Sequence, residues 1–406
     1  MTSAPSSPDE RRSVRAFATL LAALAMIGPF AVDTYLPSFP AIQSDLAVST
    51  VEVQQTLSLY LIAFAVMTLF HGTLSDSFGR RPVVLANLAI FVVASIGCAL
   101  AGSFEQLIAF RVLQGASAGA GIVVGRAIIR DSFEGHAAQR LMSLVTMIFG
   151  LAPAIAPVIG GWLQGAFGWR SVFVFLAVYS VLLLIACQWR LAETLPVSQR
   201  QPFEWRSLAR NYWTLGRSVP LFLISAAIAF NFSGFFLYIV SAPAFIYDLL
   251  KLGERDFPWL FVPGIAGVMA GAWLSGRLAG RLSPRKTARL AYAIMFAAAA
   301  GNVLYSGFAG PALPWSVVPV MVYTVGMALA MPSLTLIALD LFPQNRGLTA
   351  SLIGFSHSLV SGIVAGVVSP LLSHGDLTLA LGMAAIMGVG WLCWMLHLAL
   401  ERRAAH

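Results

Sequence analysis

Gly72-Thr-Leu-Ser-Asp-Ser-Phe-Gly-Arg-Arg-Pro82 is a short, charge-dense hinge between two long apolar runs. A degraded copy, Gly276-Arg-Leu-Ala-Gly-Arg-Leu-Ser-Pro-Arg285, begins 204 positions later in a chain of 406 residues. A second set keeps nearly the same register: Tyr35, Ser38, Pro40, Ala41, Asp45 and Leu46 recur at an offset of 203 as Tyr238, Ser241, Pro243, Ala244, Asp248 and Leu249. Two matches at nearly one offset identify two tandem halves. Asp131-Ser-Phe133 and Asp340-Leu-Phe342 continue the series at an offset of 209, a drift that small differences in loop length produce.

Composition says what solvent these halves need. The chain is 58% hydrophobic and 10% charged, against roughly 25% charged in a soluble domain, so its apolar surface exceeds what a water-soluble core hides. Spanning the hydrocarbon takes about 20 apolar residues per helix. Twelve such runs fall near 16–38, 53–75, 82–101, 105–127, 140–163, 171–189, 218–246, 256–279, 287–308, 315–338, 347–372 and 377–400. They are too long for barrel strands and lack period-2 alternation, which predicts an all-α integral membrane protein. The expected division is a six-helix bundle over 1–189, a cytoplasmic linker over 190–217 and a second six-helix bundle over 218–406. Tandem parallel halves are one of the repeat architectures of membrane transporters.

Short loops rich in Lys and Arg stay in the cytoplasm. Of 25 Lys and Arg, 21 fall at the amino end, the even-to-odd loops or the carboxyl end, while Arg170, Lys251 and Arg255 fall on the opposite side. Both termini are therefore expected in the cytoplasm. The net charge of +8 is a topology signal, and no nucleic-acid partner is needed to explain it. The first run, preceded by Arg11, Arg12 and Arg15, is longer than the ~7–15-residue core of a signal peptide and lacks a clear cleavage site. Cys98, Cys187 and Cys393 sit inside apolar runs with no paired spacing and read as small buried hydrophobes; no metal site is expected. The connector carries Arg200, Arg206, Arg210 and Arg217 interleaved with Trp205 and Trp213, a pattern for lying along the membrane surface.

Two ionisable residues stand out inside the apolar runs, Asp33 and Arg111. A charge at the bilayer centre costs at least ~2.5–3.5 kcal/mol on insertion scales, so such residues face a cavity and have partners. Asp33 lies late in the outward-rising first helix and Arg111 early in the descending fourth, at compatible depths. The two are expected to pair or to share one cavity. Burial favours a neutral carboxyl and a nearby guanidinium a charged one, so movement of the two helices would switch protonation of Asp33.

The second half has Phe236 at the repeat position of Asp33, and its tenth run holds no cation. Proton chemistry is therefore expected in the first half. Asn231, Phe232, Phe235, Phe236 and Tyr238 on the seventh helix form a mostly aromatic surface suited to amphipathic ligands. Tyr35, Gln114 and His357, the last read as the one histidine placed mid-membrane, complete the candidate substrate contacts.

These residues resemble a known family. Gly72–Arg81 resembles motif A of the major facilitator superfamily, with Ser77 at a usually basic position; Gly72, Asp76, Gly79, Arg80 and Arg81 are its marked residues. Phe110-Arg-Val-Leu-Gln-Gly-Ala-Ser-Ala-Gly119 resembles motif B, whose arginine falls on Arg111. Gly150-Leu-Ala-Pro-Ala-Ile-Ala-Pro-Val-Ile-Gly-Gly161 resembles the antiporter motif C, carried by Gly150, Pro153, Pro157, Gly160 and Gly161, with Ala156 where glycine is usual. Ala31-Val-Asp-Thr-Tyr-Leu-Pro-Ser-Phe-Pro40 is similar to the first-helix motif of the bicyclomycin and chloramphenicol resistance (Bcr/CflA) branch of drug/proton antiporters.

The resemblance implies the major facilitator fold, twelve transmembrane helices in two pseudo-symmetric six-helix bundles. It implies proton-coupled export of amphipathic small molecules by a monomer in the bacterial inner membrane, with lipid as its surroundings, protons as the driving partner and no cofactor. Motif A would act as a conformational latch, with Asp76 facing the positive amino end of the eleventh helix near Gly347. The Gly and Pro of motif C would permit close packing and a bend. Export of one metabolite, an amino acid or sugar, is the alternative within transport. A membrane sensor or an intramembrane enzyme is weaker: the chain lacks His-Glu-x-x-His, and Gly354-Phe-Ser-His-Ser358 lacks the final glycine of a nucleophile elbow.

Overall fold

A computed structural model describes Pro8–Ala404, and every regular element among these residues is helical. Twelve helices are long and apolar enough to cross a membrane. They are α1 (Pro8–Asp33), α2 (Thr50–Phe78), α3 (Arg80–Leu100), α4 (Phe104–Ala118 resuming at Ala120–Ser132), α5 (Gly135–Phe167) and α6 (Arg170–Arg190) in the first half. The second half contributes α7 (Val219–Val240), α8 (Pro258–Leu278), α9 (Pro284–Phe308), α10 (Val318–Asp340), α11 (Arg346–Ile363, continued by a π-turn over Val364–Val368) and α12 (Asp376–Ala404). The side chains of Arg11, Arg12 and Arg15 lie outside the described residues.

Local chemistry sets the helix ends. Ser103, Ser218 and Ser283 each accept a backbone N–H from the first turn of α4, α7 and α9, supplying a partner that a helix start lacks. Pro37 and Pro243 have no N–H to donate, so the expected runs 16–38 and 218–246 are interrupted. The first stops as a helix at Asp33, turns through Leu36–Ser38 and resumes at Phe39–Leu46, and the second stops at Val240.

Contacts group the chain into two compact units. The first runs to Val48 and resumes at Ile62–Glu204; the second holds Ser49–Leu61 and everything from Trp205. The opening of α2, expected with the first half, thus packs in the second unit. There Gln54 Nε2 donates to Ser369 Oγ at 3.0 Å, Gln55 Nε2 to the Gly366 carbonyl at 2.6 Å and Ser58 Oγ to the Gly362 carbonyl at 2.7 Å. The expected linker divides at Glu204, after which a short amphipathic helix, Trp205–Gly216, buries Leu208 and Leu215 and exposes Trp205 and Trp213.

The duplication is visible in packing. In the first unit α1 packs on α4, α5 and α6, and α3 packs on α4 and α6. In the second, α7 packs on α10, α11 and α12, and α9 packs on α10 and α12. Each pair is its counterpart shifted by six helices.

Candidate functional site

The interruption after Asp33 builds the first unit's site. Where α1 loses its ladder, backbone carbonyls need other donors. The Arg111 guanidinium, fully buried on α4, donates from Nη1 to the Ala31 carbonyl at 3.1 Å. The same nitrogen donates to Gln114 Oε1 one turn along α4. Gln114 Nε2 then donates to Ser95 Oγ on α3 at 2.8 Å, and Ser95 Oγ to the Phe91 carbonyl at 2.7 Å. The guanidinium lies over the Tyr35 ring at 4.7 Å and 6.0 Å from the Phe173 ring on α6. Arg111 is thereby held by neutral acceptors on α1 and α4 and by the aromatic faces of Tyr35 and Phe173, with Ser95 of α3 fixing Gln114 behind it.

Asp33 is buried as the last residue of α1. Its carboxyl is not among the described ion pairs. Arg111 instead contacts the residues two before it and two after it, Ala31 and Tyr35. The structure therefore brings Asp33, Tyr35, Arg111 and Gln114 into one neighbourhood. Ser95, Phe173 and Ala31 complete it; no sequence spacing points to them, because they act through a backbone carbonyl or lie on other helices.

Motif C meets the same junction. Gly160 on α5 lies against the Thr34 backbone so closely that a Cβ would collide with its carbonyl. Gly161 and Pro157 are buried, and so is Ala156, which fills the position where glycine is usual. Gly150 and Pro153 are only partly covered, and a Cβ at Gly150 would meet open space.

The Gly72–Arg81 stretch forms a network of its own. Gly79 joins α2 to α3 with φ +101°, a conformation that favours glycine, and a Cβ there would meet Glu193 Oε2 at 2.5 Å. The Glu193 carboxylate caps α3 by accepting the backbone N–H of Arg80 at 3.0 Å and of Arg81 at 3.3 Å. Arg80 pairs through Nη1 with Asp76 at 2.5 Å and through Nε with Asp131 at 2.9 Å, while Arg81 Nη2 reaches the Gln188 carbonyl at 2.8 Å. Asp76 is therefore held by Arg80 within its own unit. Glu193 and Asp131 read in sequence as ordinary loop acids.

The second unit divides the seventh-helix candidates. Asn231 Nδ2 donates to Tyr292 Oη on α9 at 2.9 Å, and Tyr292 Oη to the Gly390 carbonyl on α12 at 3.2 Å. Tyr323 Oη on α10 donates to the Asn231 carbonyl at 2.8 Å. Tyr238 is fully buried and accepts from Asn302 Nδ2 at 2.7 Å, and the Phe235 ring fills the space beside Gly264. Those three residues are interior struts. Phe232 stacks on Phe236 at 5.5 Å and meets the His357 ring of α11 at a tilt at 4.2 Å, so these three rings form the remaining aromatic surface. Two other histidines, His71 on α2 and His397 on α12, are fully buried, bonded to Asn87 Oδ1 at 3.1 Å and to the Pro220 carbonyl at 3.2 Å.

The chain's likeness to known proteins agrees with this geometry. The Major Facilitator Superfamily profile matches residues 19–366. An uncharacterized MFS-type transporter, YdgK of Bacillus subtilis, is 31% identical over 92% of each chain. Multidrug resistance protein D of Escherichia coli K12 is 28% identical over 95% of this chain and 96% of its own. A bicyclomycin resistance protein homolog of Haemophilus influenzae is 28% identical over 89% and 91%. In fold, a bacterial homolog of the human lysosomal transporter Spinster superposes with a TM-score of 0.73 at 16% identity, covering 98% of both chains. With twelve apolar spans and transporters rather than enzymes among its relatives, the chain is a multi-pass membrane protein that belongs to the Major Facilitator Superfamily.

Proposed function

We propose that this transporter is a proton-coupled antiporter that exports amphipathic small molecules, of the multidrug or phenicol and bicyclomycin type, by alternating access. The observation that carries the reading is the junction after Asp33. Arg111 of α4 holds the Ala31 carbonyl on one side and Gly160 of α5 packs on the Thr34 carbonyl on the other. A shift of α4 or α5 therefore changes the surroundings of the Asp33 carboxyl. Burial favours its neutral form and approach of the guanidinium its charged form, so such a shift takes up or releases a proton. Relatives named for multidrug and bicyclomycin resistance support a drug-type substrate, and the Phe232, Phe236 and His357 rings offer it an aromatic surface.

In this reading the proton gradient supplies the driving force, with no cofactor, and a single chain is the working unit. It sits in the bacterial inner membrane with both termini cytoplasmic, as its Lys and Arg distribution favours. Asp76, half-exposed beside Arg80, serves in the latch that rocking breaks and remakes, as its motif implies.

The test is Asp33→Asn in proteoliposomes. Gradient-driven accumulation is expected to fall to the level of protein-free vesicles while substrate counterflow persists. An asparagine variant that still concentrates substrate under an imposed pH difference overturns the assignment. Accumulation confined to one amino acid or sugar replaces drug export with metabolite export.

A further inference from the structure

We propose that Asp376, at the start of α12, is a second proton-binding site, independent of whether Asp33 carries a proton. The residue is only 7% exposed. Ser306 Oγ on α9 donates to Oδ2 at 2.9 Å, and Oδ1 is buried with no hydrogen-bond partner. One turn away on the same face of α9, Asn302 is fully buried, spends Nδ2 on Tyr238 Oη at 2.7 Å and leaves its own Oδ1 buried with no partner. Asp376 also lies within electrostatic range of the Tyr238 phenol. Asp376 Oδ1 and Asn302 Oδ1 are thus two buried acceptors that lack a donor.

No cation compensates the carboxylate: among the described residues Asp376 has no ion pair within 4.0 Å. The groups nearest it are neutral: Ser306 from α9 touches it, and Tyr238 from α7, which Asn302 of α9 holds, lies within electrostatic range. Tyr305, also on α9, directs its hydroxyl to the Gly310 carbonyl at 3.2 Å, and His374 in the preceding turn is exposed. A proton relieves the carboxylate. Taken from bulk water, it neutralises the charge and turns Oδ1 from an unmatched acceptor into a donor; its return to water reverses the step, and no other bond changes. A hard metal cation takes a shell of about six or more oxygens, and two free acceptors are too few.

The experiment is a pH titration of the purified full-length protein, followed by infrared spectroscopy in the carboxyl stretching region. A protonated-carboxyl band that grows as the pH is lowered is expected. Asp376→Asn should remove it, and Asp33→Asn should leave it, so failure at one site is distinguishable from failure at the other. Ser306→Ala removes a donor to the charged form, so the midpoint of the band should move to higher pH, by roughly tenfold in proton affinity. If Asp376→Asn does not give monodisperse protein, Asp376→Glu is read instead and should shift the band's frequency. A titration unchanged by these Asp376 substitutions overturns the proposal, as does loss of the wild-type band on adding excess sodium at constant pH, which would mark a metal-cation site.

Discussion

The two units make the same joint with different chemistry. In the first, α4 is tied to α1 by a guanidinium that donates to the Ala31 carbonyl. In the second, α10 is tied to α7 by a phenol, Tyr323, that donates to the Asn231 carbonyl. The repeat mate of Ala31 is Gly234, and its missing side chain is the space that the Tyr323 hydroxyl occupies. Tyr35 lies under Arg111, whereas its mate Tyr238 bonds the neutral Asn302. A duplicated scaffold thus keeps the helix contacts and changes the electrostatics: one joint is held by a buried cation and the other by a neutral phenol.

The sharpest way to break this comparison is to alter both joints. Arg111→Lys keeps the charge but loses the planar, multi-donor geometry. With a charge-assisted hydrogen bond worth about 1.5–3 kcal/mol, transport is expected to fall by roughly tenfold or more and its pH profile to move. Tyr323→Phe removes a neutral bond, costing about 1–3 kcal/mol for the buried carbonyl left behind, and should lower thermal stability while leaving the pH profile in place. A lysine variant with wild-type transport and pH optimum, or a phenylalanine variant with a displaced profile, would erase the distinction.

A smaller contrast lies in the ion pairs at equivalent helix ends. Asp131, 22% exposed, pairs with Arg80, whereas Asp340, 66% exposed, pairs with Arg346. Asp131→Asn is expected to cost about 2–3 kcal/mol, because it takes a charged acceptor from a nearly buried guanidinium, and Asp340→Asn less than about 1 kcal/mol. Parallel thermal unfolding in detergent measures both, and equal losses would show that burial does not separate the halves.

The smallest expected effect on stability carries the most information on selectivity. Phe232→Ala or Phe236→Ala should reorder the exported compounds without moving substrate-induced proton release, since the stacked rings lie in the second unit and Asp33 in the first. Resistance profiles measured beside proton release decide it. An unchanged ranking, or a shifted release midpoint, would sink the division of labour.

The sequence made legible what physics forces into view: Asp33 and Arg111 as charges inside apolar runs, and the Gly72–Arg81 hinge with its copy. It concealed what depends on a distant partner. Glu193 and Asp131 look like loop acids until Gly79 brings the end of α2 beside them. Asp376 falls one residue outside an expected span and so escaped notice. Phe235 and Tyr238 could not be told from Phe232, because α7 is apolar around nearly its whole circumference and no face is marked. Nor does any local pattern reveal that Arg111 bonds a backbone carbonyl, since every residue has one.

The opening of α2 has a consequence for how the chain is made. Gln54, Gln55 and Ser58 hydrogen-bond to residues 304–315 positions ahead of them. At roughly 5–20 residues per second, a ribosome needs about 15–60 s to deliver those partners. The Arg80 network, by contrast, needs only the next 51–113 residues. During synthesis the first unit can form its Arg80 network early, while the three polar side chains at the start of α2 wait for their partners near α11. That interval is where an insertase or a chaperone has something to hold.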